Sequence, residues 1–321
     1  TTGALIAATM LAGRALGPAG ADSHIALLTP GPYNETYFEH AYLARYLGLT
    51  LVEGNDLTVR DQKLYLKTLR GLEPVHGLLK RLDDEFLDPL ELRPDSTLGV
   101  PGLLQAIRAG HVLVANAPGS AFLESSALLG FLPALARHLL GEELSLPALP
   151  TWWCGERAGL EDALPRLGES VIKSTYSGMA NSFEAVLGRN LSRSGLDEWA
   201  GRLLREGDRH TVQSYLPPSQ MPTWQGDKIV PRSAMLRVFA VADGPQSWRV
   251  LPGGLTRLVN ASAGMASMQR GGSSADTWVM THGEVDRTTL LATHHAAPLL
   301  TQRKRLVTSR AAENLYWLGR Y

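Results

Sequence analysis

The residues of this chain best suited to chemistry lie between Val250 and Val279. Val250-Leu251-Pro252-Gly253-Gly254-Leu255-Thr256-Arg257 is followed, after a short apolar return, by Gln269-Arg270-Gly271-Gly272-Ser273-Ser274-Ala275-Asp276-Thr277-Trp278-Val279. Two glycine pairs, each beside an arginine and hydroxyls, let backbone N–H groups and cations converge on one anion, because glycine admits close approach and positive φ. That is phosphate-handling chemistry. The same residues also suit a pair of hairpin turns, since Gly-Gly between apolar runs is ordinary turn composition.

Three other places carry chemical side chains at the ends of apolar runs. Lys173 closes Ser170-Val171-Ile172-Lys173, and a lysine there is either a point charge suited to phosphate or a snorkelling surface residue. After the strand expected from Val75 to Leu79, Arg81 is followed by Asp83, Asp84, Glu85, Asp88 and Glu91. Such a run is either a solvated acidic loop or a source of hard oxygen ligands for Mg²⁺. Val112-Leu113-Val114-Ala115 reads as a buried strand and ends in Asn116-Ala117-Pro118-Gly119-Ser120, a polar amide ahead of a Pro-Gly turn.

These residues need elements to position them. Ile25 to Leu28 is a strand stopped by Pro30-Gly31-Pro32, Asn34 caps a helix from Glu35 to Leu47 with Gly48 behind it, and Leu49 to Val52 is a second strand. This is a βαβ unit, and open α/β sheets bind ligands at the carboxyl ends of their strands. Asn34, Thr36 and Tyr37 belong to that edge. Leu57 to Arg60 and Lys63 to Leu66 alternate around Asp61-Gln62 as a peripheral β-hairpin. Ser126 to Leu140 carries leucines and Phe131 on a helical stripe expected to face the core. Ser194 caps a helix to Glu206, Thr211 to Leu216 is a strand closed by Pro217-Pro218, and Leu236 to Ala242 pairs with Trp248 to Leu251 through Asp243-Gly244-Pro245.

With 321 residues the chain is long for one core, so two or three lobes and a cleft between them are expected. Lys plus Arg and Asp plus Glu balance at 31 each, which gives no support to a nucleic-acid or anionic-membrane partner and points to a small or neutral one. Cys154 is the single cysteine, so an intramolecular disulfide and a multi-cysteine zinc site are excluded and a reducing cytoplasm fits. The apolar start, Thr1 to Leu16, lacks a basic n-region and is interrupted by Arg14, so it reads as a helix; no run reaches the roughly 18 uncharged apolar residues of a membrane span.

Taken together, these motifs resemble the circularly permuted ATP-grasp proteins, relatives of glutathione synthetase and glutathionylspermidine synthase that often carry an alpha-E domain. The resemblance rests on Leu28 to Glu35, Arg81 to Pro89, Val114 to Ser120, Val171-Ile172-Lys173, Val250 to Arg257 and Gln269 to Val279, and its specificity comes from their order and number. It implies a mixed α/β, multi-lobe, circularly permuted ATP-grasp architecture. Residues 1–23 would be an N-terminal helical segment, 24–150 a βαβ substrate-side lobe, 151–305 an antiparallel nucleotide lobe, and 306–321 the start of an alpha-E domain, the whole being a piece of a longer protein.

The resemblance implies an ATP- and Mg²⁺-dependent carboxylate–amine ligase acting through an acylphosphate on small-molecule or peptide substrates. Lys173 would contact ATP phosphates, Arg81 and Arg257 the γ-phosphate or acylphosphate, and Asp83 with Asn116 the Mg²⁺. Gln213, Ser214, Tyr215 and Leu216 would form the adenine hinge, and Gly271, Gly272 and Ser273 would touch phosphate. The chain departs from the family where a Gly-rich loop usually follows the strand lysine: here Ser174 takes the place of a proline, and Gly178 is the one glycine between Ser174 and Glu184. Ala275 also stands where a lysine is usual. A nucleotide-binding pseudo-enzyme or assembly module is therefore the alternative, and phosphoryl transfer without amide formation a third reading.

Overall fold

The computed structural model describes residues 23–176, 183–242, 247–258 and 273–284. Thr1–Met280 form one compact unit and Thr281–Tyr321 a second. The described part of the second, residues 281–284, holds no helix or strand.

Strand β1 (Ile25–Leu28) leads through helix α1 (Tyr37–Leu47) into β2 (Thr50–Val52). The helix starts two residues later than the sequence predicts: Asn34 Oδ1 accepts from the Thr36 amide at 2.9 Å in the turn before it, and Thr36 is the cap. A meander of β3 (Leu57–Arg60), β4 (Lys63–Thr68) and β5 (Gly71–Pro74) follows. Its first turn has positive φ at both Asp61 and Gln62, the geometry that matches strand twist in a two-residue hairpin. The hairpin is not peripheral. Leu57 and Leu64 are 2% and 1% exposed and pack with Leu28, Val52 and Leu78, because its alternation turns one apolar face onto the sheet.

Strands β6 (Gly77–Lys80) and β7 (Leu113–Ala115) complete a parallel sheet of order β2-β1-β6-β7. Helix α2 (Leu103–Arg108) covers the side of Leu28 and Leu78, and α1 covers the side of Leu27 and Leu79 with Ala44 and Leu47. Both faces are thus buried, as the near-continuous apolar strands require.

Helix α3 (Leu128–Leu140) ends at Gly141 as expected, but its stripe is not core: Ala136 is buried, whereas Phe131, Leu139 and Leu140 are exposed. Its contact with β8 (Thr151–Trp153) is made through Gly130, where a Cβ would lie 2.5 Å from the Thr151 carbonyl oxygen. After helix α4 (Arg157–Ala163) come β9 (Ser170–Ser174), β10 (Val186–Leu187), helix α5 (Arg193–Glu206) and β11 (His210–Ser214), and the three strands join β8 in an antiparallel sheet of order β10-β9-β11-β8. The cap of α5 is Ser192, whose Oγ accepts from the Gly195 amide at 3.2 Å, rather than Ser194. Ile172 and Val212 join Ala163, Leu167 and Leu203 in the core under one face.

A third sheet has the order β12-β13-β16-β17, from β12 (Gln220–Gln225), β13 (Lys228–Arg237), β16 (Leu255–Leu258) and β17 (Ser273–Ala275). The strand predicted from Leu236 to Ala242 is divided: β13 ends at Arg237, and β14 (Ala240–Ala242) pairs separately with β15 (Trp248–Val250).

Candidate functional site

The parallel sheet reverses its strand order between β1 and β6, which opens a crevice at their carboxyl ends. Thr29, Glu53 and Arg81 follow directly on the paired residues Leu28, Val52 and Lys80, so they stand level on three neighbouring strands. The ladder runs on into them: the Thr29 amide donates to Val52 O and the Arg81 amide to Leu28 O, each at 2.9 Å. Alternation turns their side chains toward α1. There His40, 2% exposed, places Nδ1 2.9 Å from Thr29 Oγ1 and Nε2 3.0 Å from Thr36 Oγ1. Thr36 Oγ1 donates to Asn34 Oδ1 at 2.6 Å, and the Gly31 amide donates to Thr29 Oγ1 at 3.3 Å. One arrangement satisfies all of these, with Nε2–H donating to Thr36 and Nδ1 accepting from Thr29. The ring is neutral in it. Burial, with the nearby Arg81 charge second, lowers the His40 pKa to about 4.

The acidic run divides into separate roles. Asp83 is exposed at the end of β6, and Asn116 is exposed beyond β7, the adjacent strand in the sheet. Asp84 is instead a tie: it pairs with Lys80, and its Oδ2 accepts from the Gly119 amide at 2.9 Å and the Ala121 amide at 3.4 Å. The Lys80 charge and these amides hold its pKa below the usual carboxylate value against the opposing effect of burial. Asp88 is fully buried and accepts from the amides of Leu90, Gly102 and Leu104 at 3.0 to 3.1 Å, while Glu91 pairs with Arg108. Asp88 and Glu91 are therefore fold-holding acids. Among the described residues no group of three His, Cys, Asp or Glu side chains could hold a metal ion.

The loop tied by Asp84 continues to the second sheet. Ser125 Oγ donates to Thr175 O at 3.0 Å and Ser126 Oγ to Ser174 O at 2.8 Å, which fixes the end of β9 just past Lys173. Register places Lys173 opposite Thr211, and Val171 between Gln213 and β10. Lys173, Thr211, Gln213 and Thr151 thus share the face turned away from the helix-packed core of Ile172 and Val212. On that face Lys173 Nζ donates to Gln213 Oε1 at 2.6 Å, Gln213 Nε2 donates to Thr151 Oγ1 at 2.9 Å, and Thr151 Oγ1 donates to Leu149 O at 2.9 Å. The relay has one direction. Because the Thr151 hydroxyl gives its hydrogen to a carbonyl, it offers Gln213 only a lone pair, and the amide oxygen must face the ammonium. Burial lowers the Lys173 pKa, and no ion pair with Lys173 occurs among the described residues.

Gln213 thus works here through its side chain. The neighbouring amides are occupied: Ser214 N donates to Pro150 O at 2.9 Å and Tyr215 N to Glu169 O at 3.2 Å. Arg189 lies over the Tyr215 ring, 4.2 Å from its centroid, and its Nη2 donates to Tyr215 Oη at 3.2 Å. Ser214 and Tyr215 border a cleft of about 460 Å³ with Arg166, Glu169, Ser170 and Arg189. Ser170 and Ser214 face away from Lys173, so that cleft is not the Lys173 face. Leu216 is exposed beyond the strand.

On the third sheet Arg257 is half-buried in β16, in register with Met235 and Ser274. Ser273 begins β17 and accepts from Arg232 Nη1 at 2.7 Å. Gly271 and Gly272 lie outside the described residues, as do the segments 1–22, 177–182 and 285–321. The predicted residues that the structure describes therefore fall into four groups: Arg81, Asp83 and Asn116 at the edge of the parallel sheet, Lys173 and Gln213 on the open face of the second, Ser214, Tyr215 and Leu216 at and beyond the end of β11, and Arg257 with Ser273 on the third. Sequence reading passed over His40, Glu53 and Thr151. Glu53 had a signal, since it directly follows a strand of the βαβ unit, and His40 stands one helical turn after Thr36.

A model of the circularly permuted ATP-grasp type 2 family matches residues 6–259. The chain is 37% identical over 257 residues to an uncharacterized protein of Synechocystis, covering 80% of this chain and 53% of that one. It is 38% identical over 262 residues to an uncharacterized protein of Mycobacterium bovis, covering 81% and 47%. The chain thus spans about half the length of these curated relatives. Among solved structures, the ATP-grasp ligase PsnB complexed with minimal precursor aligns with a TM-score of 0.44 and 14% identity, covering 81% of this chain and 78% of that one.

Proposed function

The chain belongs to the circularly permuted ATP-grasp type 2 family, and from that premise we propose that it is the nucleotide-binding part of an ATP- and Mg²⁺-dependent carboxylate–amine ligase. ATP supplies the leaving group: a substrate carboxylate oxygen bonds to the γ-phosphorus as the bond to ADP breaks, and an amine then displaces phosphate from the acyl carbon. The observation that carries this reading is Lys173. Its ammonium is partly desolvated on an open sheet face, and the partner it has there is a neutral amide. A cation so placed is complementary to an anion that arrives from outside, and a phosphate meets that need.

The other roles follow from placement. Arg81 and Arg257 would neutralise charge on the transferring phosphoryl group. Mg²⁺ keeps several waters and takes one or two carboxylates plus phosphate oxygens, so Asp83 with the Asn116 amide fits an ion held chiefly by the nucleotide. Asp84 would keep the loops of Asp83 and Asn116 together. The adenine edge would meet the chain from the Tyr215 carbonyl onward to Leu216, since the preceding amides are occupied, and Gly271, Gly272 and Ser273 would add phosphate contacts. A kinship to glutathione synthetase-like ligases, an alpha-E domain beginning at residues 306–321 and a cytoplasmic location belong to the same proposal. Among the described residues no helix is long and apolar enough to cross a membrane.

Titration with ATP, with and without Mg²⁺, followed by measurement of amine-dependent ADP release, tests it. Metal-dependent binding with amine-stimulated ADP release supports the ligase. ADP release that ignores the amine would indicate a kinase, and absence of ATP binding an assembly module.

A further inference from the structure

The proposed reading leaves the substrate side of the parallel sheet undefined, and Glu53 stands at its outer end, directly after the edge strand β2. Glu53 and Arg81 flank Thr29 on adjacent strands at one level, so their backbones are roughly 10 Å apart, two strand spacings. Both are exposed, and among the described residues neither is in an ion pair. Two opposite charges that stand on either side of Thr29 without pairing are arranged for a molecule that carries both signs.

The intervening turn is shaped to admit that molecule. Gly31 has φ 100°, and a Cβ added there would come within 3.3 Å of the Glu53 carboxylate carbon and one of its oxygens, so the carboxylate lies against the bare turn. On the other side Arg81 acts electrostatically on His40, which is hydrogen-bonded to Thr29. Glu53 therefore lies against the turn from Thr29 to Gly31, whose hydroxyl and amide groups are already bonded within the chain, and Arg81 stands on the strand at the other side of Thr29. Glu53 is also held at its own end, since its carboxylate accepts from the Asp56 amide and its amide donates to Asp56 Oδ2 at 2.9 Å in a reciprocal cap. A capped carboxylate keeps lone pairs for a second donor.

We propose that Glu53 is the recognition group for the ammonium of a zwitterionic substrate, an amino acid or peptide terminus, whose acidic group faces Arg81 across Thr29. The assignment rests on the ligase reading for its place in the reaction, but binding of the zwitterion does not require ATP. Ligand-observed NMR with each proteinogenic L-amino acid, without nucleotide, identifies the best binder. Its affinity is then measured for the wild type and Glu53→Gln, against both the free amino acid and its N-acetyl form. Glutamine preserves the cap, because an amide oxygen accepts the same hydrogen bond.

The free amino acid should bind about ten- to a hundredfold more weakly to Glu53→Gln, the loss of one charge-assisted hydrogen bond. The N-acetyl form, which has no ammonium, should bind both proteins alike. Absence of binding by any amino acid, or an equal loss for both ligand forms, would overturn the assignment. A parallel ATP titration separates the two ideas: ATP binding without amino-acid binding removes the Glu53 subsite and leaves the ligase reading intact, and the reverse outcome removes the ligase reading alone.

Discussion

Lys173 and Gln213 face each other across two antiparallel strands, ammonium to amide oxygen at 2.6 Å, with Thr151 fixing the amide from behind. The lysine is thereby held in place by a partner that carries no counter-charge. Replacing the amide by a carboxylate is the sharpest perturbation, because Gln213→Glu keeps the shape and adds the missing counter-charge. The internal pair would raise the Lys173 pKa and compete with phosphate, so ATP affinity should fall about tenfold while the melting temperature holds or rises. Calorimetric titration reads it. Unchanged affinity would mean that Lys173 does not meet phosphate.

Asp83 and Asp88 should separate cleanly. Asp83→Asn should raise the Mg²⁺ concentration needed for ATP binding and leave stability within about 0.5 kcal/mol, since the residue is exposed. Asp88→Asn should cost on the order of 1–3 kcal/mol in denaturant unfolding, because three amides depend on that buried carboxylate. It should not alter the Mg²⁺ requirement. The reverse pattern would make Asp88 the ligand.

Arg257→Lys keeps a positive charge in β16 and removes the planar fork. Turnover should drop by at least about tenfold with ATP affinity retained, because a lysine cannot present two parallel N–H groups to an acylphosphate or carboxylate. Steady-state kinetics beside calorimetry decides it, and full activity would reduce the arginine to a generic cation.

His40 gives the fold an acid sensitivity of predictable sign. Its folded pKa, about 4, lies below the 6.5 of a free histidine, so above pH 6.5 both folded and unfolded rings are neutral and the residue adds no pH dependence. Between pH 6.5 and 4 the unfolded state takes up the proton first, and stability falls as pH falls, by on the order of 3 kcal/mol at most. His40→Gln should flatten that part of the curve in urea unfolding at stepped pH. An unchanged slope would place the acid sensitivity elsewhere.

Much of this was legible in the residues. The run of Ile25 to Leu28, a helix and Leu49 to Val52 reads as βαβ because a parallel strand needs a crossover, and the carboxyl-edge rule then puts Arg81 and Asn116 at one side of the sheet. Lys173 reads as a strand-end cation for the same kind of reason. What stayed hidden depends on tertiary partners. Nothing in the run from Asp83 to Glu91 separates a carboxylate that collects buried amides from one that faces solvent; only the approach of Gly102 and Leu104 makes Asp88 structural. Likewise the stripe of Phe131 and its neighbours has helical period, but period marks one face of a helix and does not say what covers it. Gln213 read as a hinge backbone because its side chain gains its role from Thr151, some sixty residues earlier.

The account depends most on Lys173 meeting nucleotide phosphate, and the direct measurement is calorimetric titration of ATP with Mg²⁺ into the wild type and Lys173→Met. Methionine keeps the apolar stem and removes the charge. The variant should melt at the wild-type temperature or slightly above it and bind ATP about ten- to a hundredfold more weakly, the loss expected for one charge-assisted contact. Equal affinity in two folded proteins would contradict the account.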